Sequence, residues 1–204
     1  PRGCAMSAAQ EALHSFVDAF RALLETAGPQ AQAFLNDWPQ ELIARPGGAR
    51  TLPGVAALRG LSHFAAPRTR ALVEAIEAMA GELDWRQTYD KADFGERFLE
   101  NYGFNEWIGQ RGAFVSESVA CGVLLLGPDT EYPDHSHEAE ELYLPLAGRA
   151  VWRAAHSGWW LRSPGEWIHH VPCMRHAMRT DDEPLLAAYV WRGRDLQAKS
   201  QIGR

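Results

Sequence analysis

Cysteine is scarce in this chain: three in 204 residues, at Cys4, Cys121 and Cys173. Thiols so few and so scattered exclude a disulfide framework and a thiolate zinc site, and they fit a reducing, cytoplasmic setting. Positive charge is not in excess either. Twenty Lys and Arg stand against 26 Asp and Glu, a net charge of −6, so there is no basic field to hold nucleic-acid phosphates. No apolar run approaches the roughly 18–20 residues of a membrane span, so no membrane partner is expected. Internal repeats and low-complexity tracts are also missing. What is there, 46% hydrophobic and 23% charged residues, belongs to a folded globular domain. Position 1 is not Met, and the natural sequence is expected to begin near Met6. No signal peptide is expected, because the first apolar stretch has a helical period and is interrupted by charge.

Histidine and tryptophan are unevenly placed. Of eight histidines only His14 and His63 precede residue 134, and five of eight tryptophans follow residue 150. Charge is nearly even by comparison, which places the chemistry in the second half.

The first half reads as helical. Over 7–27, Leu13, Phe16, Val17, Phe20, Leu23 and Leu24 recur at spacings of three and four, with Ser7 as cap and Gly28-Pro29 as terminator. Further helices are expected over 30–44, 67–83 and 92–101, with a Gly- and Pro-rich loop at 45–54. Near residue 112 the pattern changes to short runs of β-branched and aromatic residues broken by turn residues. Strands are expected at 113–118, 119–126, 141–146, 148–155, 157–161, 166–171, 175–180 and 185–192. About eight strands without intervening helices imply a closed antiparallel sandwich or barrel. The expected division is a helical N-terminal extension over 1–110 and a β-barrel over 111–204.

The densest segment runs from Tyr132 to Tyr143, Tyr-Pro-Asp-His-Ser-His-Glu-Ala-Glu-Glu-Leu-Tyr. Alternate side chains of a strand share a face, so His135 and His137 point one way, as do Glu141 and Tyr143 on the next strand. With a bend at 138–140, all four converge. Two imidazoles and a carboxylate suit Fe, Mn, Ni, Co or Zn, and a His from a distant strand, best His176, would complete the set. Glu138 and Glu140 alternate with Glu141 and are expected outside. His156 is expected at the surface. His169 and His170 are adjacent, so at most one faces inward.

Gly127, His135-x-His137-x-x-x-Glu141-x6-Gly148 resembles the first motif of the cupin superfamily. Gly158-x5-Pro164-Gly165 followed by His176 resembles the second, with unusual spacing that keeps His169 and His170 as competitors for the last ligand position. The resemblance implies a double-stranded β-helix, or jelly-roll, barrel. Tyr132 and Tyr143 around the first motif, with His176 and Trp191 downstream, narrow it: the chain is similar to the cupin-type dimethylsulfoniopropionate lyases, which also carry a helical N-terminal extension.

That resemblance implies one divalent transition metal on His135, His137, Glu141 and His176, and a small sulfonium carboxylate substrate. The implied reaction is β-elimination to dimethyl sulfide and acrylate. Tyr143 would be the base, its phenol made acidic by the metal. Tyr132 would be a second base or bind the substrate carboxylate, and Trp191 would face the sulfonium. The same ligands would serve an Fe(II) cupin dioxygenase, and a non-catalytic cupin that binds a small molecule also fits. The apolar stripes of the extension are compatible with covering its own barrel or with a homodimer.

Overall fold

The computed structural model describes residues 8–203, so Cys4, Met6 and the expected cap Ser7 lie outside it. Helix α1 (Ala8–Leu24) buries Phe16, Val17, Phe20 and Leu24, the stripe set by their spacing. The helix expected over 30–44 is much shorter. A 3-10 turn at Pro29–Ala31 leads into α2 (Gln32–Asn36), which stops short of Pro39. A residue before proline is pushed out of the helical region, and proline has no N–H to offer the ladder. Helix α3 (Arg70–Met79) and α4 (Lys91–Asn101) fall where expected. The latter opens with a capping box between Asp90 and Asp93 and kinks at Gly95.

Among the described residues, ten strands form two five-stranded antiparallel sheets. One contains, in spatial order, β1 (Tyr102–Ile108), β2 (Val119–Leu126), β9 (Leu185–Arg192), β4 (Glu140–Ala147) and β7 (Ile168–His170). The other contains β10 (Gln201–Ile202), β3 (Glu131–Ser136), β8 (His176–Arg179), β5 (Ala150–Ala154) and β6 (Trp160–Arg162). The two sheets make the jelly roll that the resemblance implies, mainly β with helices at the N-terminal side. The sheet begins earlier than the pattern change near residue 112. Tyr102–Ile108 is strand, although Asn105 and Glu106 break its apolar run. The strand expected at 113–118 is instead a loop, held to β1 where the Phe114 N–H donates to the Trp107 carbonyl at 2.8 Å.

The first sheet is buried on both faces. Phe16, Phe20, Phe34, Leu61 and Val73 of the helical half pack with Trp107, Val123, Leu144 and Val190 on its outer face. Its inner face carries Phe104, Leu124, Tyr143, Ala187 and Tyr189 and meets Tyr132, Trp152 and Met178 of the second sheet. Continuous apolar runs such as that of β2 are the mark of a strand covered on both sides. Thr69, fully buried before α3, donates to the Leu146 carbonyl at 2.6 Å and pins that helix to β4. The β4–β5 turn depends on Gly148 (φ 74°), where a Cβ would lie 1.7 Å from the Pro184 carbonyl oxygen. Among the described residues no helix is long and apolar enough to cross a membrane.

Candidate metal centre and adjoining cavity

Antiparallel pairing lines up two rungs across the inner face of the first sheet. His170, Glu141, Trp191 and Ala120 lie directly opposite one another on β7, β4, β9 and β2. The next rung is Ile168, Tyr143, Tyr189, Gly122 and Glu106, reaching β1. The second sheet supplies His135, paired with His176 across β3 and β8. His137 follows the end of β3. The chain bends at Glu138 and Ala139 and returns as β4, as the spacing of the motif requires.

These side chains meet in the barrel interior. His137, Glu141 and His176 are buried, with ligand atoms all within 4.8 Å of one another. His135 adjoins them, its ring centroid 4.1 Å from that of His176 and 6.4 Å from that of His137. The three imidazoles are oriented alike. Nδ1 of His135 lies 2.8 Å from the Pro133 carbonyl, that of His137 2.9 Å from Ala139, and that of His176 2.9 Å from Met174. Donation from Nδ1 to a carbonyl leaves the Nε2 lone pair free, the arrangement that orients histidine toward a metal. Nε2 of His176 is buried with no hydrogen-bond partner.

Glu141 is fully buried at the centre. Its Oε2 is 3.1 Å from His170 Nδ1, 3.2 Å from His137 Nε2 and 3.4 Å from His176 Nε2, while Oε1 accepts the indole N–H of Trp191. Burial works against its charge, yet His137, His170 and His176 outweigh burial and hold the carboxyl well below the usual carboxylate range. Burial pushes His135 down to about 4 and, helped by His135 and His170, pushes His176 well below the ordinary histidine value. Both are therefore neutral near pH 7, the form in which imidazole donates a lone pair. For His137 burial is overridden by the neighbouring Glu141, which raises it.

Of the adjacent pair, His170 faces inward, stacked on His176 at 3.9 Å, and His169 faces outward to Glu140. Glu138 and His156 are exposed, as expected, and Glu140 reaches Arg192 as well as His169. Of the other late tryptophans, Trp152 is buried and Trp167 packs on Phe20, but Trp160 is about half exposed at the sheet-edge strand β6.

Beside the His and Glu group lies a small cavity of about 50 Å³. All five tyrosines of the chain line it: Tyr89, Tyr102, Tyr132, Tyr143 and Tyr189. Tyr143 sits at the junction. Burial raises its phenol well above the ordinary value, and its hydrogen bond and proximity to Glu141 raise it further. The Tyr132 ring stacks on His135 at 4.0 Å, and its hydroxyl is 2.7 Å from that of Tyr89. The phenol of Tyr132 is likewise raised by burial, then by Tyr89 and Tyr102. Trp191 packs on His137 at 4.1 Å and walls the cavity. Sequence reasoning missed Tyr89, Tyr102, Tyr189, Glu106 and Arg111 in this lining. Tyr189 could have been found, since it precedes Trp191 by two on one strand and must share its face.

The family model for dimethylsulfoniopropionate lyase matches residues 30–187. The chain is 30% identical over 155 residues to dimethylsulfoniopropionate lyase DddQ of Ruegeria pomeroyi, covering 76% of this chain and 77% of that protein. It is 31% identical over 169 residues to the putative dimethylsulfoniopropionate lyase DddL of Cereibacter sphaeroides, covering 80% of this chain and 66% of the relative. A crystal structure from a study of the DMSP lyases RdDddP and RnDddQII superposes with a TM-score of 0.87 at 30% identity, covering 97% of this chain and 100% of that one. The crystal structure of DddQ from Ruegeria pomeroyi superposes with a TM-score of 0.84 at 29% identity, over 94% and 96% of the two chains. With its barrel, its His and Glu group and its tyrosine-lined cavity, the chain belongs to the dimethylsulfoniopropionate lyase family.

Proposed function

We propose that this protein cleaves dimethylsulfoniopropionate to dimethyl sulfide and acrylate, with Tyr143 as the base. The observation that carries the assignment of roles is the position of Tyr143, two residues from Glu141 on one strand face, between the buried His and Glu group and the cavity.

The donor set fits a divalent metal. Three imidazoles have Nδ1 tied to carbonyls, one Nε2 is buried without a partner, and the carboxylate among them is charged. His135, His137, Glu141 and His176 would hold the ion. When bound, it supplies Lewis-acid withdrawal of charge from the substrate carboxylate and favours the phenolate of Tyr143.

The chain's own residues do the rest. Tyr143 takes the proton from the carbon next to the carboxylate. The C–H electron pair becomes the new C=C bond, the C–S bond breaks, and dimethyl sulfide leaves with the sulfur lone pair. Tyr132, kept neutral by its surroundings, donates a hydrogen bond to the carboxylate. Trp191 and the tyrosine walls exclude water and offer aromatic faces to the sulfonium, a cation with no hydrogen-bond donors.

The test is headspace detection of dimethyl sulfide from purified protein loaded in turn with Fe, Mn, Co, Ni and Zn and given the sulfonium substrate under nitrogen. Release without oxygen is expected with at least one metal. Silence with all five would overturn the reading and leave a dioxygenase or a binding protein.

A further inference from the structure

The rung that carries Tyr143 ends at Glu106, three strands away on β1. Neighbouring strands lie about 4.8 Å apart, so Tyr143 and Glu106 stand at opposite sides of one lumen. Both line the cavity, and so does Tyr189 between them. The intervening β2 residue is Gly122, which has no side chain to separate Glu106 from Tyr189. Among the described residues, Glu106 and Arg111 are the only formally charged side chains in the cavity wall.

Glu106 is a buried carboxylate, 5% exposed, and its pairing is loose. The Arg111 backbone N–H donates to its Oε1 at 2.8 Å, but the guanidinium Nε is 3.4 Å from Oε2. Another guanidinium nitrogen turns to the Leu196 carbonyl, also at 3.4 Å, and the group lies 5.4 Å from the centre of the Phe104 ring. Burial outweighs Arg111 in setting the Glu106 carboxyl, which is raised. The missing side chain of Gly109 leaves room for the carboxylate, since a Cβ there would lie 2.3 Å from Oε1. Phe104 shares its strand face two residues along. A buried, loosely paired carboxylate beside aromatic faces suits a cation that has no hydrogen to donate.

We propose that Glu106 is a specificity-determining residue that holds the onium end of the substrate against Phe104 and Tyr189, with the substrate carboxylate toward Tyr132 and Tyr143. This rests on the lyase reading for the identity of the onium, a dialkyl sulfonium. It accounts for selection of a charged sulfonium over a neutral thioether of the same shape.

The probes are two carboxylates of one shape that differ in one charge: 3-(trimethylammonio)propionate and 4,4-dimethylpentanoate. Each is titrated calorimetrically into the metal-loaded full chain, and the ratio of the two affinities is the readout. A general loosening of the cavity weakens both ligands and leaves the ratio alone. The wild-type protein is expected to prefer the cation by about tenfold or more, which corresponds to about 1.4 kcal/mol. Glu106→Gln is expected to remove about tenfold of that ratio, while Glu106→Asp retains a preference. Arg111→Gln, which frees the carboxylate, is expected to raise the ratio. That opposite sign keeps the proposal testable if Glu106→Gln does not fold. A wild-type ratio near one, an unchanged ratio in Glu106→Gln, or a flat or falling ratio in Arg111→Gln overturns it. Dimethyl sulfide release by the wild type is scored separately. Release without a cation preference defeats the role of Glu106 and leaves the lyase. A preference that tracks Glu106 without release defeats the lyase and leaves the cation site.

Discussion

Trp191 and Glu141 stand directly opposite each other across β9 and β4, and the indole N–H of one donates to Oε1 of the other. The wall of the cavity and the carboxylate of the candidate metal centre are therefore one mechanical unit. Trp191→Phe keeps an aromatic ring beside His137 but removes the indole donor to Glu141. Loss of such an outer partner weakens metal binding by about 10- to 100-fold. Chelator competition on the purified variant should show that weakening, with the fold intact by circular dichroism. Unchanged metal affinity would mean that the hydrogen bond does not orient Glu141.

His170 is the histidine whose place the sequence left open. It stacks on His176, but its Nδ1 turns to Glu141 Oε2, whereas Nδ1 of His135, His137 and His176 each turns to a backbone carbonyl. Metal content by mass spectrometry should separate the two roles. His137→Ala, Glu141→Ala and His176→Ala are expected to purify without metal. His170→Ala should retain it with roughly tenfold weaker affinity. An empty His170→Ala protein would make His170 a ligand.

Much of this site was legible in the sequence because strands impose a period of two and the ligands obey it. His135, His137, Glu141 and Tyr143 lie within nine residues, and a single bend brings them together. Strand β9 was legible to the residue, since its apolar run is bounded by Pro184 and Gly193. Other parts depend on tertiary context. Tyr89 precedes α4 and Tyr102 opens β1, and nothing local says that either enters the barrel. Strand β1 carries Glu106 on its inward face and Asn105 on its outward face, which erases the apolar signal. The second helix was overextended because an apolar stripe continued past Pro39, where backbone chemistry overrides periodicity.

Thr69 is a stability prediction that does not involve the site. Its buried hydroxyl ties the start of α3 to the Leu146 carbonyl in β4. Thr69→Val keeps the shape and leaves that carbonyl without its donor, at a cost of about 1–3 kcal/mol. Denaturant unfolding should report the loss, with turnover at low temperature unchanged. Equal stability of the two proteins would show that packing alone docks the helix.

Tyr143→Phe is the sharpest test of the chemistry, because it deletes one oxygen and little else. The ring keeps its contacts with Trp152 at 5.0 Å and Tyr189 at 6.4 Å, so the cavity retains its shape. None of the proposed ligand atoms is removed, so metal content should match the wild type. General-base catalysis contributes about 10²–10⁴-fold, and kcat for acrylate release should fall by that factor with little change in KM. Tyr132→Phe should differ in kind. It breaks the bond to the Tyr89 hydroxyl and removes a donor to the carboxylate, so KM should rise more than kcat falls. The contrast separates proton transfer from substrate positioning within one pair of phenols. Near-normal turnover in Tyr143→Phe together with silence in Tyr132→Phe would move the base to the other tyrosine.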